Sequence, residues 1–241
     1  MKIALYGYGK MGKAIEAAAI ARGHAVVARV DHHNAGTPPA GADVAIEFST
    51  PATVMQNVQL CLDHHVPVVV GTTGWYGHMR EMERKVKAGQ GAVLWASNFS
   101  IGVNLFFKLN QYLAGLMAGQ PDYAATIEEI HHIHKLDAPS GTAISLAKGI
   151  MEQHERYGGW ELAELGKQPL AGRIPVHSKR TGEVPGTHTV CWESGQDRIS
   201  ITHEAFGRQG FATGAVVAAE WLRGRQGFFN MEDVLAVPNG K

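Results

Sequence analysis

The chain has 241 residues, of which 45% are hydrophobic and 18% charged, with Lys+Arg and Asp+Glu both 22; this is an ordinary globular balance, long enough for one large domain or two modest ones. Zero net charge argues against a nucleic-acid or anionic-membrane partner, and Cys61 and Cys191, far apart and in no CxxC, argue against a disulfide framework or a zinc knuckle. With no secretory apolar segment at its start and no run of about 18 apolar residues, the chain is expected to be cytoplasmic.

Residues 2–6 are a short apolar run, followed at once by Gly7-Tyr-Gly-Lys-Met-Gly12 and then by Ala14, Ile15, Ala18 and Ala19 at helical spacing. A second apolar run, 25–30, ends in Asp31, 19 residues beyond Gly12. Strand, glycine turn, helix, strand and acid in this order form the dinucleotide-binding arrangement. Gly7 permits a tight turn, Gly9 lets the backbone approach a pyrophosphate, Gly12 allows close helix-to-strand packing, and Asp31 can bond ribose hydroxyls. The competing reading is a structural strand-to-helix turn with no ligand. An acid at this place favours NADH, whereas His32, His33 and Lys10 can meet the 2′-phosphate of NADPH. Use of both is expected, and raising the pH through the histidine range should then weaken NADPH more than NADH.

Segments 44–48, 66–70 and 92–96 read as further strands, with helices over 54–62 and 79–87 between them. This alternation predicts an α/β fold with a Rossmann-type doubly wound parallel sheet. Ligands of such sheets sit at the carboxyl ends of the strands, where residues 7–12, 49–51, 71–74 and 98–100 all fall, although Gly, Ser, Thr and Asn also make ordinary turns. A helical pattern over 103–117 leads out of this first domain, 123–130 reads as a strand, and a helix follows from Thr142 to about Gln153. Segment 158–172 is polar and irregular, and 174–180, 188–193 and 197–204 are short alternating strands. They predict an α+β second domain with a mixed or antiparallel sheet, one face of which is left for an oligomer interface. Helices over 216–221 and near Met231 close the chain. The expected domains are 1–102 with 208–241 for the dinucleotide, and 103–207 for substrate binding and oligomerisation. Gly102 and 206–210 read as hinges, since hydride transfer benefits from closure that excludes water.

The densest chemistry lies in Ile127-Glu-Glu-Ile-His-His-Ile-His-Lys-Leu-Asp-Ala-Pro-Ser-Gly-Thr142. Lys135 offers a proton and three donors, and His131 and His132 can donate, accept or carry charge. Pro139 breaks the chain, and Ser140 or Thr142 can cap the helix that follows. Cations beside a helix start suggest a carboxylate or phosphate ligand, against the plainer reading of a polar loop before a capped helix. A metal site on His131, His132 and His134 is not expected, because no further ligand completes it.

Glu129-Ile-His-His-Ile-His-Lys-Leu-Asp-Ala-Pro-Ser-Gly-Thr-Ala143 resembles the signature of the 4-hydroxy-tetrahydrodipicolinate reductase (dihydrodipicolinate reductase) family, and the likeness extends through 7–12, 71–74, 97–104 and 211–215. Two departures are Thr126, where the family commonly has a further Glu, and His32, where NADP-favouring members have Arg. The resemblance implies hydride transfer from NADH or NADPH to a cyclic unsaturated dicarboxylate, giving tetrahydrodipicolinate in lysine and diaminopimelate biosynthesis, in a homotetramer built through the second domain's sheet. It implies His131 and Lys135 as the catalytic pair, with Lys135 as proton donor, and His132, Ser140, Gly141 and Thr142 as holders of substrate carboxylates. Gly7, Tyr8, Gly9, Lys10, Met11, Gly12, Asp31 and His32 would hold the cofactor. Gly71, Thr72, Thr73, Asn98, Phe99 and Ser100 would lie at the nicotinamide, with Arg208 and Phe211 on its far side. The alternatives are an aspartate- or homoserine-type dehydrogenase, against which the 129–143 signature argues, and a non-catalytic nucleotide sensor, which would not need His131 and Lys135 together.

Overall fold

The computed structural model describes residues 1–89, 91–164 and 167–236. The chain begins β1 (Lys2–Tyr6), α1 (Lys10–Ala21), β2 (Ala25–Val30), β3 (Val44–Glu47), α2 (Val54–Asp63), β4 (Val68–Val70), α3 (Met79–Gly89), β5 (Ala92–Trp95). It continues α4 (Ile101–Met117), β6 (Ala124–His131), α5 (Gly141–Gln153), β7 (Gly159–Leu162), β8 (Arg173–Arg180), β9 (Thr187–Glu193), β10 (Arg198–Glu204), and ends α6 (Gln209–Leu222), β11 (Gly227–Phe229), α7 (Met231–Val234). Two compact units result: Met1–Asn104 with Arg208–Lys241, and Leu105–Gly207. Residues 237–241 at the end of the expected first domain, and 165 and 166 in the segment expected to be irregular, lie outside the described residues.

In the first unit all six strands are parallel, in the order β11-β5-β4-β3-β1-β2. The period of two along each strand feeds two cores. Ile3, Leu5, Val44, Ile46, Val69 and Leu94 pack with residues of α1 and α6 such as Ile15, Ala19, Ala215 and Val216. On the other face Ala4, Tyr6, Ala45, Val68, Val70 and Val93 pack with Val54, Val58 and Cys61 of α2 and Met82 and Val86 of α3. Each fully buried Val, Leu or Ile contributes about 1.5–3 kcal/mol. This is the doubly wound sheet that the sequence pattern predicts, with β11 added at its edge.

The second unit holds a mixed sheet of order β10-β9-β6-β8-β7, in which β6 runs antiparallel to β9 and parallel to β8. One face packs Ala125, Ile127, Ile174, Val176, Val190 and Trp192 against Phe106 and Leu113 of α4 and Leu146 and Ile150 of α5. The opposite face presents Thr126 and Glu128 of β6, Thr189 and Cys191 of β9 and Thr202 of β10, which are half-buried or exposed. The segment expected to be irregular contains β7, which pairs with β8. No helix among the described residues is long and apolar enough to cross a membrane.

Candidate active site

In the first unit the chain leaves β1 through Gly7, whose φ of +89° is left-handed and whose Cβ would lie 2.0 Å from the Phe48 carbonyl oxygen, so only glycine fits. A Cβ on Gly12 would meet the Gly7 carbonyl oxygen at 2.5 Å, whereas one on Gly9 would meet nothing within 4 Å. The fold therefore needs Gly7 and Gly12, while the bareness of Gly9 serves an approach from outside. Gly9 starts α1 without a side-chain cap, which leaves the first N–H groups of the helix open to an anion. Beside it lies a cleft of about 520 Å³ lined by Gly7, Tyr8, Gly9, Asp31, His32, Phe48, Ser49 and Asn57, among others. Open amides at a bare glycine and a carboxylate at the end of β2 fit the pyrophosphate and ribose of a dinucleotide.

The Asp31 Oδ1 accepts from the His33 N–H at 2.8 Å, and the His32 and His33 rings lie 3.8 Å apart. The Glu16 carboxylate accepts from both Tyr8 and Arg29, so the arginine of β2 is already paired. Lys10 is exposed, Met11 packs against the core and Gly12 is buried. The turns 71–73 and 98–100, with Arg208 and Phe211, lie outside the lining of this cleft. Thr72 Oγ1 accepts from the Ser49 N–H at 2.8 Å, Asn98 Oδ1 from the Ser100 N–H at 2.9 Å, and Ser100 Oγ from the Val103 N–H at 3.3 Å, closing the start of α4. Phe99 is 2% exposed and packs 5.7 Å from the Phe48 ring. Its side chain thus serves the core, and only its main chain is left for a ligand. Thr73 and Arg208 are exposed and Phe211 half-buried.

Glu47, the last residue of β3, is fully buried. Its Oε1 accepts from the Ser49 N–H at 3.2 Å, from Asn57 Nδ2 at 3.2 Å and from the Ser49 hydroxyl, and its Oε2 has no partner. Burial pushes its carboxyl above the ordinary range.

The second unit gathers its chemistry where β6 ends and α5 begins. His131 closes β6 and is buried; Ser140 caps α5, its hydroxyl accepting from the Ala143 N–H at 3.2 Å. The same hydroxyl lies 3.0 Å from His188 Nε2, so Ser140 is occupied in support. Helix geometry leaves the N–H groups of Gly141 and Thr142 as open donors. Lys135 Nζ lies 2.8 Å from Asp137 Oδ1, a partner that holds the Asp137 carboxyl low. His132 is half-buried with Nδ1 unpartnered, and His134 pairs with Glu183 at the surface, 3.2 Å away.

Beneath these residues lies Glu129, fully buried. It accepts from Ser178 Oγ at 2.7 Å, Arg180 Nη2 at 3.0 Å and the Ser140 N–H at 3.0 Å. Arg180 also donates to the carbonyls of Lys135 at 3.3 Å and Asp137 at 2.5 Å, which fastens the Lys135 loop to β8. Burial alone would raise the Glu129 carboxyl, but His131, Ser140, Ser178 and Arg180 outweigh it and hold the group well below the usual carboxylate range. Burial pushes the His188 imidazole down to about 4, so that ring is neutral at physiological pH. Glu129, His131 and His188 bring ligand atoms within 4.8 Å of one another, a spacing a metal could use, yet the Arg180 guanidinium already answers the carboxylate's charge.

Ser178, Arg180 and His188 were not among the residues the sequence singled out, and Glu129 was marked only as the first residue of the signature, without a role. Glu129 alone had a local signal, since two residues before His131 on a strand places it on the same face. The others come from strands about fifty positions away.

A glycine turn on a parallel sheet, with a second α+β unit carrying a buried acid and histidines at a helix start and a lysine in the loop before it, defines a two-domain NAD(P)H-dependent oxidoreductase. The chain belongs to the dihydrodipicolinate reductase family: its N-terminal model matches residues 1–99 and its C-terminal model residues 102–235. A 4-hydroxy-tetrahydrodipicolinate reductase of Christiangramia forsetii is 50% identical over 98% of both chains, and one of Archaeoglobus fulgidus is 35% identical over 98% of this chain and 100% of its own. The solved dipicolinate-bound dihydrodipicolinate reductase of Paenisporosarcina sp. TG-14 shares the fold, with a TM-score of 0.75 and 24% identity over 95% of this chain and 97% of that one.

Proposed function

We propose that this chain reduces the dihydrodipicolinate-type cyclic dicarboxylate to tetrahydrodipicolinate, the lysine and diaminopimelate step of its family, with either NADH or NADPH. The observation that carries this reading is the start of α5, where the first N–H groups lie open and Glu129 joins the Ser140 amide to the His131 ring, with His132 and Lys135 on the loop that leads into the helix. A reduced nicotinamide supplies the hydride. The bare turn at Gly9 and the first amides of α1 would receive the pyrophosphate, and Asp31 the ribose; the main chain at 71–73 and 98–100 would border the nicotinamide, with Arg208 and Phe211. His132 and the N–H groups of Gly141 and Thr142 hold the substrate carboxylates. Ser140 keeps that helix start in place. As the hydride arrives, charge grows in the substrate ring, and Lys135 delivers a proton from Nζ to it while His131 orients the exchange.

Purified protein mixed with freshly made substrate and NADH or NADPH should consume the nicotinamide absorbance with both; no loss with either would exclude the reaction. Lys135→Ala should lower kcat by a factor of about 10² with cofactor KM kept.

The face of the second sheet that no helix among the described residues covers supports a homotetramer assembled through it. Light scattering should then give four times the 26.0 kDa chain mass. The free thiols of Cys61 and Cys191 suit a reducing compartment, so we place the enzyme in the cytoplasm.

A further inference from the structure

Glu129 and His131 leave the same face of β6. Of the two carboxylate oxygens, Oε1 is saturated by Arg180, Ser178 and the Ser140 N–H. The other, Oε2, shares that N–H at 3.1 Å and otherwise faces two imidazoles, His131 Nδ1 at 3.3 Å and His188 Nε2 at 3.7 Å. His188 Nε2 is already engaged with the Ser140 hydroxyl at 3.0 Å. His131 Nδ1 is buried with no aligned hydrogen-bond partner, and a small turn of its ring would line it up with Oε2. At the opposite edge of the ring stands Gly186, with φ +153°. A Cβ there would come within 3.0 Å of His131 Nε2 and 3.2 Å of Cδ2. A carboxylate thus meets one ring nitrogen, and a missing side chain leaves room at the other.

We propose that Glu129 and Gly186 are positioning residues for His131: Glu129 accepts a hydrogen bond from Nδ1–H and so fixes the tautomer with a bare Nε2, and Gly186 keeps the space before that nitrogen clear. In this tautomer Nε2 has a lone pair and no proton to give. It accepts a hydrogen bond, from the Lys135 ammonium or from the substrate, and thereby aims the donor. The catalytic meaning rests on the His131–Lys135 reading above, but the tautomer itself does not.

The test labels the histidines with 15N and reads two-bond 1H–15N correlations of the whole protein at pH 8.5, where an ordinary imidazole is neutral. The His131 signals are identified by their loss in His131→Asn. Nδ1 should show the shift of a protonated ring nitrogen and Nε2 that of a bare one; the reverse pattern overturns the proposal. Glu129→Gln offers an N–H beside Nδ1 as well as an oxygen, so it should mix or reverse the tautomers and lower kcat about 10²-fold, with cofactor KM unchanged, as expected for a misoriented group. Glu129→Asp should recover part of that loss. Gly186→Ala should lower kcat by a similar factor without changing the tautomer. Unaltered kcat and tautomer in Glu129→Gln would also sink the idea. Should the glutamine variant fail to fold, the wild-type spectrum alone decides. The expected tautomer in a protein without turnover would retire the reductase reading and keep this one; the reversed tautomer with normal turnover would do the opposite.

Discussion

Glu47 and Glu129 are both fully buried at or near the carboxyl ends of strands, one in each unit. Their surroundings drive them in opposite directions. Around Glu47 stand a serine, an asparagine and no cation, and burial wins, so the carboxyl is pushed up. Around Glu129 stand an arginine, a serine, a helix-capping amide and a histidine, and the donors win, so the carboxylate is held down. Equal burial does not set the direction of a pKa shift; the number and charge of the donors around the carboxyl do. The nucleotide unit thus holds the proton of its buried acid more tightly than usual, while the other unit builds a fixed anion beneath its histidines.

The sharpest way to break this comparison is Glu129→Ala, which leaves the Arg180 guanidinium without its carboxylate. It should cost about 3–5 kcal/mol, read as a shift of the urea midpoint, whereas Glu47→Ala, with no charge stranded, should cost less. Acid titration of stability comes next. The lowered pKa of Glu129 contributes stability that is present above the ordinary glutamate value of 4.5 and is lost as pH falls below it; Glu129→Gln should flatten that acid limb. Glu47 has the opposite sign. Its raised pKa means that the folded state keeps a proton the unfolded chain gives up, so stability falls as pH rises from 4.5 through the folded value. Glu47→Gln should remove that slope while changing the stability at its acid end by only about 1 kcal/mol. The smallest effect is expected at Asp137, an exposed carboxylate paired with the half-buried Lys135. Asp137→Asn should move the melting free energy by no more than about 0.5 kcal/mol.

How much of this was legible in the sequence depended on distance along the chain. The glycine turn, α1 and Asp31 fit within thirty-one residues, and each glycine has a local reason that the structure bears out at Gly7 and Gly12. The parallel sheet followed from alternating apolar runs. Two strands escaped: β11 has three residues and β7 four, at sheet edges, where half-exposure gives no clean period. The helix start at Ser140 was also legible, but the use of its hydroxyl was not, because His188 lies 48 residues on. Arg180 and Ser178 reach Glu129 only through the register of β8 on β6, which sets Ser178 beside Glu129 and Arg180 beside His131. No periodicity in the sequence specifies that pairing. Phe99 sits inside a polar turn, so nothing local marked its ring as core.

The grip of Arg180 on the loop after β6 acts through the carbonyls of Lys135 and Asp137 rather than through their side chains. The loop's shape is therefore nearly indifferent to what its outward positions carry, and Leu136, 98% exposed between the two gripped carbonyls, is the plainest of these. A fluorophore attached at that position would travel with Lys135 and report on its surroundings, because the main chain beneath it would stay anchored to β8.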